Sequence, residues 1–205
     1  MFTGLVQCMA EVAEVVSEPP GKRITLQSPE LAARIKIGDS VALNGCCLTV
    51  IASGGGRLAF QAGDETLSRT NLGELTAGGL VNVEESLRAG DPIGGHLVTG
   101  HVDAVGMVAE RCDNGDWTTM WIDAPAALLQ QMASKGSITI DGVSLTLVDV
   151  KEDRFSVALI PHTLAQTTIG RRSIGDRVNL ETDILAKYVE RQFIASREHG
   201  ARSRE

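Results

Sequence analysis

Four places in the chain carry residue types that could act on a small molecule. Cys47 and Thr49 stand two apart in Asn44-Gly45-Cys46-Cys47-Leu48-Thr49. On a strand, alternation puts both on one face and Leu48 on the other. A thiol beside a hydroxyl could hold or attack a polar ligand, whereas an unpaired cysteine more commonly packs as a small hydrophobe. His96 and His101 bracket Leu97-Val98-Thr99-Gly100. That spacing does not put them on one strand face, so they make a weak metal pair. His101 alone could serve as a base near neutral pH, or be an ordinary hydrogen-bonded histidine. Lys135 precedes Gly136-Ser137 and could offset ligand charge, or be a solvated turn lysine. Asp183, just before an apolar stretch, reads first as a helix N-cap. No phosphate-cradling glycine motif and no GxSxG nucleophile elbow occurs, and Gly54-Gly55-Gly56 reads as a loop.

What must position these groups is a duplicated unit. Ser40-Val41-Ala42-Leu43-Asn44-Gly45-Cys46-Cys47-Leu48-Thr49-Val50 returns 97 positions later as Ser137-Ile138-Thr139-Ile140-Asp141-Gly142-Val143-Ser144-Leu145-Thr146-Leu147. The offset holds through Thr66 and Thr163, Thr70 and Thr167, Asn82 and Asn179, and Glu84 and Glu181. Near the start it is 96, so that Thr3-Gly4 matches Thr99-Gly100. Such a period is too long for a solenoid and marks a repeated domain. The repeat is unequal where chemistry could sit. Cys47 becomes Ser144, Gly38 becomes Lys135 and Ser86 becomes Asp183.

The units divide at a Gly- and Pro-containing linker ending at His96. Residues 1–96 form the first unit with its linker, 97–183 the second, and 184–205 a terminal element. Within the units, Val41 to Val50 flank Asn44-Gly45, a hairpin signal that Asp141-Gly142 repeats. Further strands are expected at 23–26, 57–60 and 80–83, and short helical pieces at 30–34, 67–72, 125–132 and 164–169. About six short strands per unit with glycine turns predict an all-β chain of two six-stranded Greek-key barrels in tandem. Apolar positions 184, 185, 188, 189 and 193 recur at helical spacing and predict one C-terminal α-helix over 184–194. The polar tail from His199 is expected to fray.

The chain has 205 residues, 43% hydrophobic and 22% charged, with 19 basic and 26 acidic side chains and a net charge of −7. That surface repels nucleic acid and acidic membranes. No run of apolar residues is long enough to span a bilayer, and the amino end is no signal peptide. Four cysteines without CxxC spacing fit a reduced, cytoplasmic protein.

The segments MFTG at 1–4, NGCCLTV at 44–50, ETLSRTNLG at 65–73, GGHLVTGHV at 94–102 and DGVSLTLV at 141–148 together resemble riboflavin synthase of the alpha-chain type. The resemblance covers nearly the whole chain. It implies two lumazine-binding barrels that dismutate two molecules of 6,7-dimethyl-8-ribityllumazine. A four-carbon unit passes from one to the other, giving riboflavin and 5-amino-6-ribitylaminouracil, the last step of riboflavin biosynthesis. It further implies no metal or organic cofactor and a homotrimer held by the terminal helices. The active site would lie between the amino-terminal barrel of one subunit and the carboxy-terminal barrel of its neighbour. An association with lumazine synthase is compatible with it. A non-catalytic lumazine- or flavin-binding protein is the alternative.

By the same resemblance, the amino-terminal pocket uses Gly4, Leu5, Val6, Ser40, Cys47, Leu48, Thr49 and the segment Gln61, Ala62, Gly63, Asp64, Glu65 and Thr66. The carboxy-terminal pocket uses Gly100, His101, Val102, Lys135, Ser144, Leu145, Thr146 and the segment Ile160, Pro161, His162, Thr163, Leu164 and Ala165. Ser40, Cys47 and Ser144 are expected as hydrogen-bonded nucleophiles or proton relays. His101 is expected to handle the acidic C7-methyl proton, and Asp183 to orient a polar neighbour. One departure is Gln61, where the family usually carries Asp. Glutamine can hydrogen-bond a hydroxyl but cannot act as a base, so that role is lost or moves to Asp64.

Overall fold

The computed structural model describes the backbone of residues 1–202, with side chains described through residue 196. The first unit carries β1 (Cys8–Glu18), β2 (Gly21–Gln27), α1 (Pro29–Ala32), β3 (Ser40–Leu43), β4 (Cys46–Gly54), β5 (Arg57–Gly63), α2 (Asp64–Arg69) and β6 (Leu80–Glu85). The second repeats it as β7 (Ala104–Asn114), β8 (Trp117–Asp123), α3 (Ala126–Leu129), β9 (Ser137–Ile140), β10 (Val143–Val150), β11 (Arg154–Leu159), α4 (Pro161–Gln166) and β12 (Arg177–Thr182). Each set of six antiparallel strands closes into a barrel, in the order β1-β2-β5-β4-β3-β6 and its counterpart from β7 to β12. Closure leaves no open sheet edge. The bending it needs is taken up at matched irregularities, between Val12 and Glu14 in β1 and between Val108 and Glu110 in β7.

Each barrel has its own apolar core. Val12, Ile24, Leu43, Val50, Phe60 and Val83 fill the first, and Val108, Ile122, Ile140, Leu147, Phe155 and Leu180 the second. These side chains come from alternate strand positions, which leaves the opposite set, including Cys47, Thr49, Ser144 and Thr146, facing outward.

Two of the short helices start three residues earlier than the sequence periodicity predicts. The piece expected at 67–72 begins at Asp64, where Asp64 and Glu65 favour the helix amino end, and stops at Arg69. Thr70 is extended there, and its hydroxyl donates to the Thr66 carbonyl and accepts from Leu72 N–H. The chain then makes a 3-10 turn at Asn71–Glu74. Thr167 is likewise extended and its hydroxyl donates to the Thr163 carbonyl before a 3-10 turn at Thr168–Arg171, so the piece expected at 164–169 starts instead at Pro161.

The barrels meet across a pseudo-twofold axis through the two hairpin turns. Asn44 and Asp141 hold φ of 45° and 46°, and Gly45 and Gly142 hold 76° and 78°. A Cβ on either glycine would come within 2.7 Å of the other's backbone nitrogen. Glycine is therefore required twice, for the turn and for the contact. Around it, the amides of Asn82 and Asn179 donate to the Asp141 and Asn44 carbonyls, each at 2.8 Å. The symmetry breaks at one charge. Asp141 is fully buried and takes Arg172 at 2.6 Å, where the first unit has neutral Asn44. Burial pushes the Asp141 carboxyl upward, and Arg172 pulls against it.

The terminal helix α5 (Ile184–Arg202) is longer than the 184–194 expected and carries the backbone of the tail's first residues in helical form. Residues 203–205 of that tail lie outside the described residues. Asp183 caps α5, accepting Leu185 N–H at 3.0 Å. Lys187 pairs with Asp103 at 2.6 Å, and Gln131 donates to Glu190, fixing the helix base to the second barrel. Leu185, Tyr188, Val189 and Phe193 remain exposed along one side. Among the described residues, no helix is long and apolar enough to cross a membrane.

Candidate functional site: two hairpin faces and two crossed straps

The outward faces of β3–β4 and β9–β10 are the two halves of the candidate site. In the first, Ser40 lies opposite Thr49 and Ala42 opposite Cys47. In the second, Ser137 lies opposite Thr146 and Thr139 opposite Ser144. Directly opposed residues share a sheet face, so each hairpin shows four side chains at matched positions.

A short backbone strap crosses each face. The two straps meet where Phe2 and Val98 exchange backbone hydrogen bonds of 2.7 and 3.1 Å. From there each passes over the other unit's hairpin. Ser144 N–H donates to the Gly4 carbonyl at 2.7 Å, and Cys47 N–H donates to the Gly100 carbonyl at 2.8 Å. The fit is flush. A Cβ on Gly4 would stand 2.6 Å from Ser144 Cβ, and one on Gly100 would stand 2.7 Å from Cys47 Cβ. Within one chain, Gly4 therefore lies against Ser144, while Gly100, His101 and Val102 lie beside Cys47, across the axis from the grouping by barrel. The reason is the Phe2–Val98 pairing, which carries each strap across the axis.

At the first face, Cys47, Glu65, Thr66, Gly100, His101 and Val102 line a cavity of about 320 Å³. That is within the usual range for a small-molecule pocket, roughly 300–1,000 Å³. Beneath the strap, Cys47 packs with Phe2, Ala42 and Val98. Its neighbour Cys46 points into the barrel, where burial pushes its thiol up to about 12, so it is inert as a nucleophile. Leu48 and Ala62 also point into the core. Gln61 is exposed and donates to Glu18, and Gly63 and Asp64 are exposed at the head of α2. Ser40 lines a separate polar recess with Arg34, Lys36, Asp39 and Arg88.

At the second face, the His96 ring lies over the hairpin. Its Nδ1 is 2.8 Å from Ser144 Oγ, and its Nε2 is 3.3 Å from Thr139 Oγ1. Burial lowers the His96 pKa, opposed by the nearby Asp183 charge, so the ring is neutral near pH 7. A neutral imidazole accepts at one nitrogen and donates at the other, which suits it to take the Ser144 proton. Sequence reading set His96 aside as a weak metal ligand. Its partner is 48 residues away, and spacing carries no signal of the pairing. Leu145 packs against the core, Thr146 is exposed, and Thr163 and Leu164 are half-buried. Ile160, Pro161, His162 and Ala165 are exposed on and before α4.

Lys135 holds φ of 69°, where its counterpart Gly38 holds 93°. A non-glycine residue there costs about 1–2 kcal/mol. Lys135 is exposed two residues before β9.

The chain matches the model of the lumazine binding domain twice, at residues 3–86 and 99–183. It is 44% identical over 195 residues to the riboflavin synthase of Mycobacterium tuberculosis, covering 93% of this chain and 97% of that one. To the riboflavin synthase of Escherichia coli it is 40% identical over 185 residues, covering 89% and 87%. Among solved structures it is similar to LumP complexed with 6,7-dimethyl-8-(1'-D-ribityl) lumazine, with a TM-score of 0.79 and 26% identity over 89% of this chain and 99% of that chain. LumP complexed with riboflavin gives a TM-score of 0.83 over the same coverage. Two lumazine-binding domains in tandem, with synthase relatives aligned along nearly the whole length, mean that the chain belongs to the riboflavin synthase family.

Proposed function

We propose that this chain converts two molecules of 6,7-dimethyl-8-ribityllumazine into riboflavin and 5-amino-6-ribitylaminouracil. The observation that carries the reading is the pair of matched hairpin faces with unlike side chains. Two copies of one substrate need two similar cradles, and a dismutation needs the cradles to treat them differently. The first face offers the Cys47 thiol with the His101 strap, and the second offers Ser144 hydrogen-bonded to neutral His96. The Ser144–His96 pair suits removal of the acidic C7-methyl proton from the lumazine beside it. Cys47 and Thr49 suit hydrogen-bonding the other lumazine, and Lys135 suits charge developing on the pteridine carbonyls. Holding two rings face to face would supply much of the rate through proximity and orientation.

We read a productive pair of cradles as one built between subunits. The exposed side of α5, with Leu185, Tyr188, Val189 and Phe193, supports packing against second copies of this chain. We read the assembly as a trimer, and sedimentation at three chain masses checks it. Mixing the protein with pure 6,7-dimethyl-8-ribityllumazine tests the activity. Growth of riboflavin fluorescence is expected. Saturable binding with no new fluorescence would leave only a binding protein, as the likeness to LumP allows.

A further inference from the structure

Each strap is tied down by a buried glutamate of its own barrel. Thr3 N–H and Oγ1–H donate to Glu84 Oε1 at 2.7 and 2.9 Å, and Gly4 N–H donates to Oε2 at 3.0 Å. In the second unit, Thr99 N–H and Oγ1–H donate to Glu181 Oε1 at 2.6 and 2.7 Å, and Gly100 N–H donates to Oε2 at 3.0 Å. Thr3 and Thr99 hydroxyls then accept the N–H of Leu5 and His101, each at 3.2 Å. The two clamps repeat atom for atom. Glu84 is 6% exposed and Glu181 is 3% exposed, so their charges are largely shielded from water. Among the described residues, every hydrogen bond these two carboxylates accept comes from a strap and none from another strand of the same barrel.

We infer that Glu84 and Glu181 are positioning residues that act across the axis: Glu181 of the second barrel sets the Cys47 pocket of the first, and Glu84 of the first barrel sets the Ser144 pocket of the second. The chain of contacts is short. Glu181 fixes Thr99 and Gly100, the Gly100 carbonyl receives Cys47 N–H, and His101 and Val102 complete the wall of the Cys47 cavity. Glu84 fixes Thr3 and Gly4, and the Gly4 carbonyl receives Ser144 N–H. Charged hydrogen bonds in a shielded site are strong and directional, which suits a clamp that must hold backbone rather than side chains. Burial pushes both carboxyls upward while the strap donors pull them down, so charge and strap hold each other in place.

Amide hydrogen exchange in the full-length protein, free of ligand, tests the crossing. In Glu181→Gln the Cys47 amide is expected to exchange roughly ten- to hundredfold faster, the worth of a lost charge-assisted hydrogen bond. The Ser144 amide and the core amides of Leu180 and Val157 should keep their rates. In Glu84→Gln the pattern should reverse. Thr99→Val and Thr3→Val remove one clamp hydrogen bond each and guard against an unfolded glutamine variant; the same crossed pattern is expected, smaller in size. If each substitution instead loosened its own barrel first, or both amides equally, the glutamates would be ordinary core supports and the inference would fall. The ligand reading stands apart from this result. Titration with riboflavin is expected to lose the Cys47-side site in Glu181→Gln and keep the other. Absence of binding in the unsubstituted protein would sink the proposed function while leaving the exchange result untouched.

Discussion

The two hairpin faces share a frame and differ in what they show. On the first, Ala42 and Cys47 lie under Phe2, and the patch beneath the strap is apolar apart from one thiol. On the second, Thr139 and Ser144 lie under His96, and three polar groups form a chain. The strap carbonyls, the glutamate clamps and the crossed asparagines are the same in both. Backbone and buried polar groups fix where a ligand ring could lie, because each has partners that leave no freedom to vary. The outward positions on the same strands are free to differ, and there the duplication has diverged. A like difference appears at the barrel contact, where Asn44 faces Asp141 and its Arg172 partner.

The sharpest way to break the contrast is to remove its polar half. His96→Gln keeps a hydrogen-bonding side chain but no base, and turnover is expected to fall by ~10²–10⁴-fold. The pH profile should change with it. Burial depresses the His96 pKa below its ordinary 6.5, so the neutral form and its stabilising contribution are present above pH 6.5 and are lost as pH falls through the folded value. An acid limb in activity is expected below neutrality for the parent and should vanish in His96→Gln; a limb that persists would assign it to another group. The next largest effect is on stability. Asp141→Asn copies the first unit but strands Arg172 beside a neutral partner, at a cost of about 1.5–3 kcal/mol in chemical denaturation. Adding Arg172→Leu, which copies Leu75, should recover most of that loss. If the double variant stays as unstable as the single, the ion pair does more than balance charge. Cys47→Ser makes the first face resemble the second. Turnover should fall about tenfold, the worth of one hydrogen bond, with less change in affinity. Equal losses in both would mean the thiol only shapes the pocket. The smallest change is Lys135→Gly, expected to raise stability by about 1 kcal/mol through relief of the left-handed backbone while lowering turnover. A variant that gains stability and keeps full activity would leave the lysine without a catalytic use.

The repeat made the barrels readable before any coordinates. Asn44-Gly45 and Asp141-Gly142 marked hairpins, and alternation sent Cys47 and Thr49 outward as the structure has them. Short helices were harder, because Thr70 and Thr167 divide them through side-chain bonds to Thr66 and Thr163 that periodicity does not register. The outward hairpin positions were legible, and the way the straps lie over them was not. Nothing in the order Thr3-Gly4 or Thr99-Gly100 says that these segments cross the axis. That depends on the Phe2–Val98 pairing, which joins positions far apart in the chain. Glu84 and Glu181 were visible only as repeat partners, since a glutamate inside a strand carries no sign of what its carboxylate will hold.

The most direct measurement is the number of ligands the folded protein takes. Equilibrium binding with an 8-ribityllumazine lacking the acidic C7 methyl group isolates occupancy from turnover. Two molecules per chain are expected at saturation, with unequal affinities for the thiol-bearing and the serine–histidine faces. Saturation at one molecule per chain, with the second hairpin face unoccupied in the complex, would contradict the reading of this chain as twin cradles for a single kind of substrate.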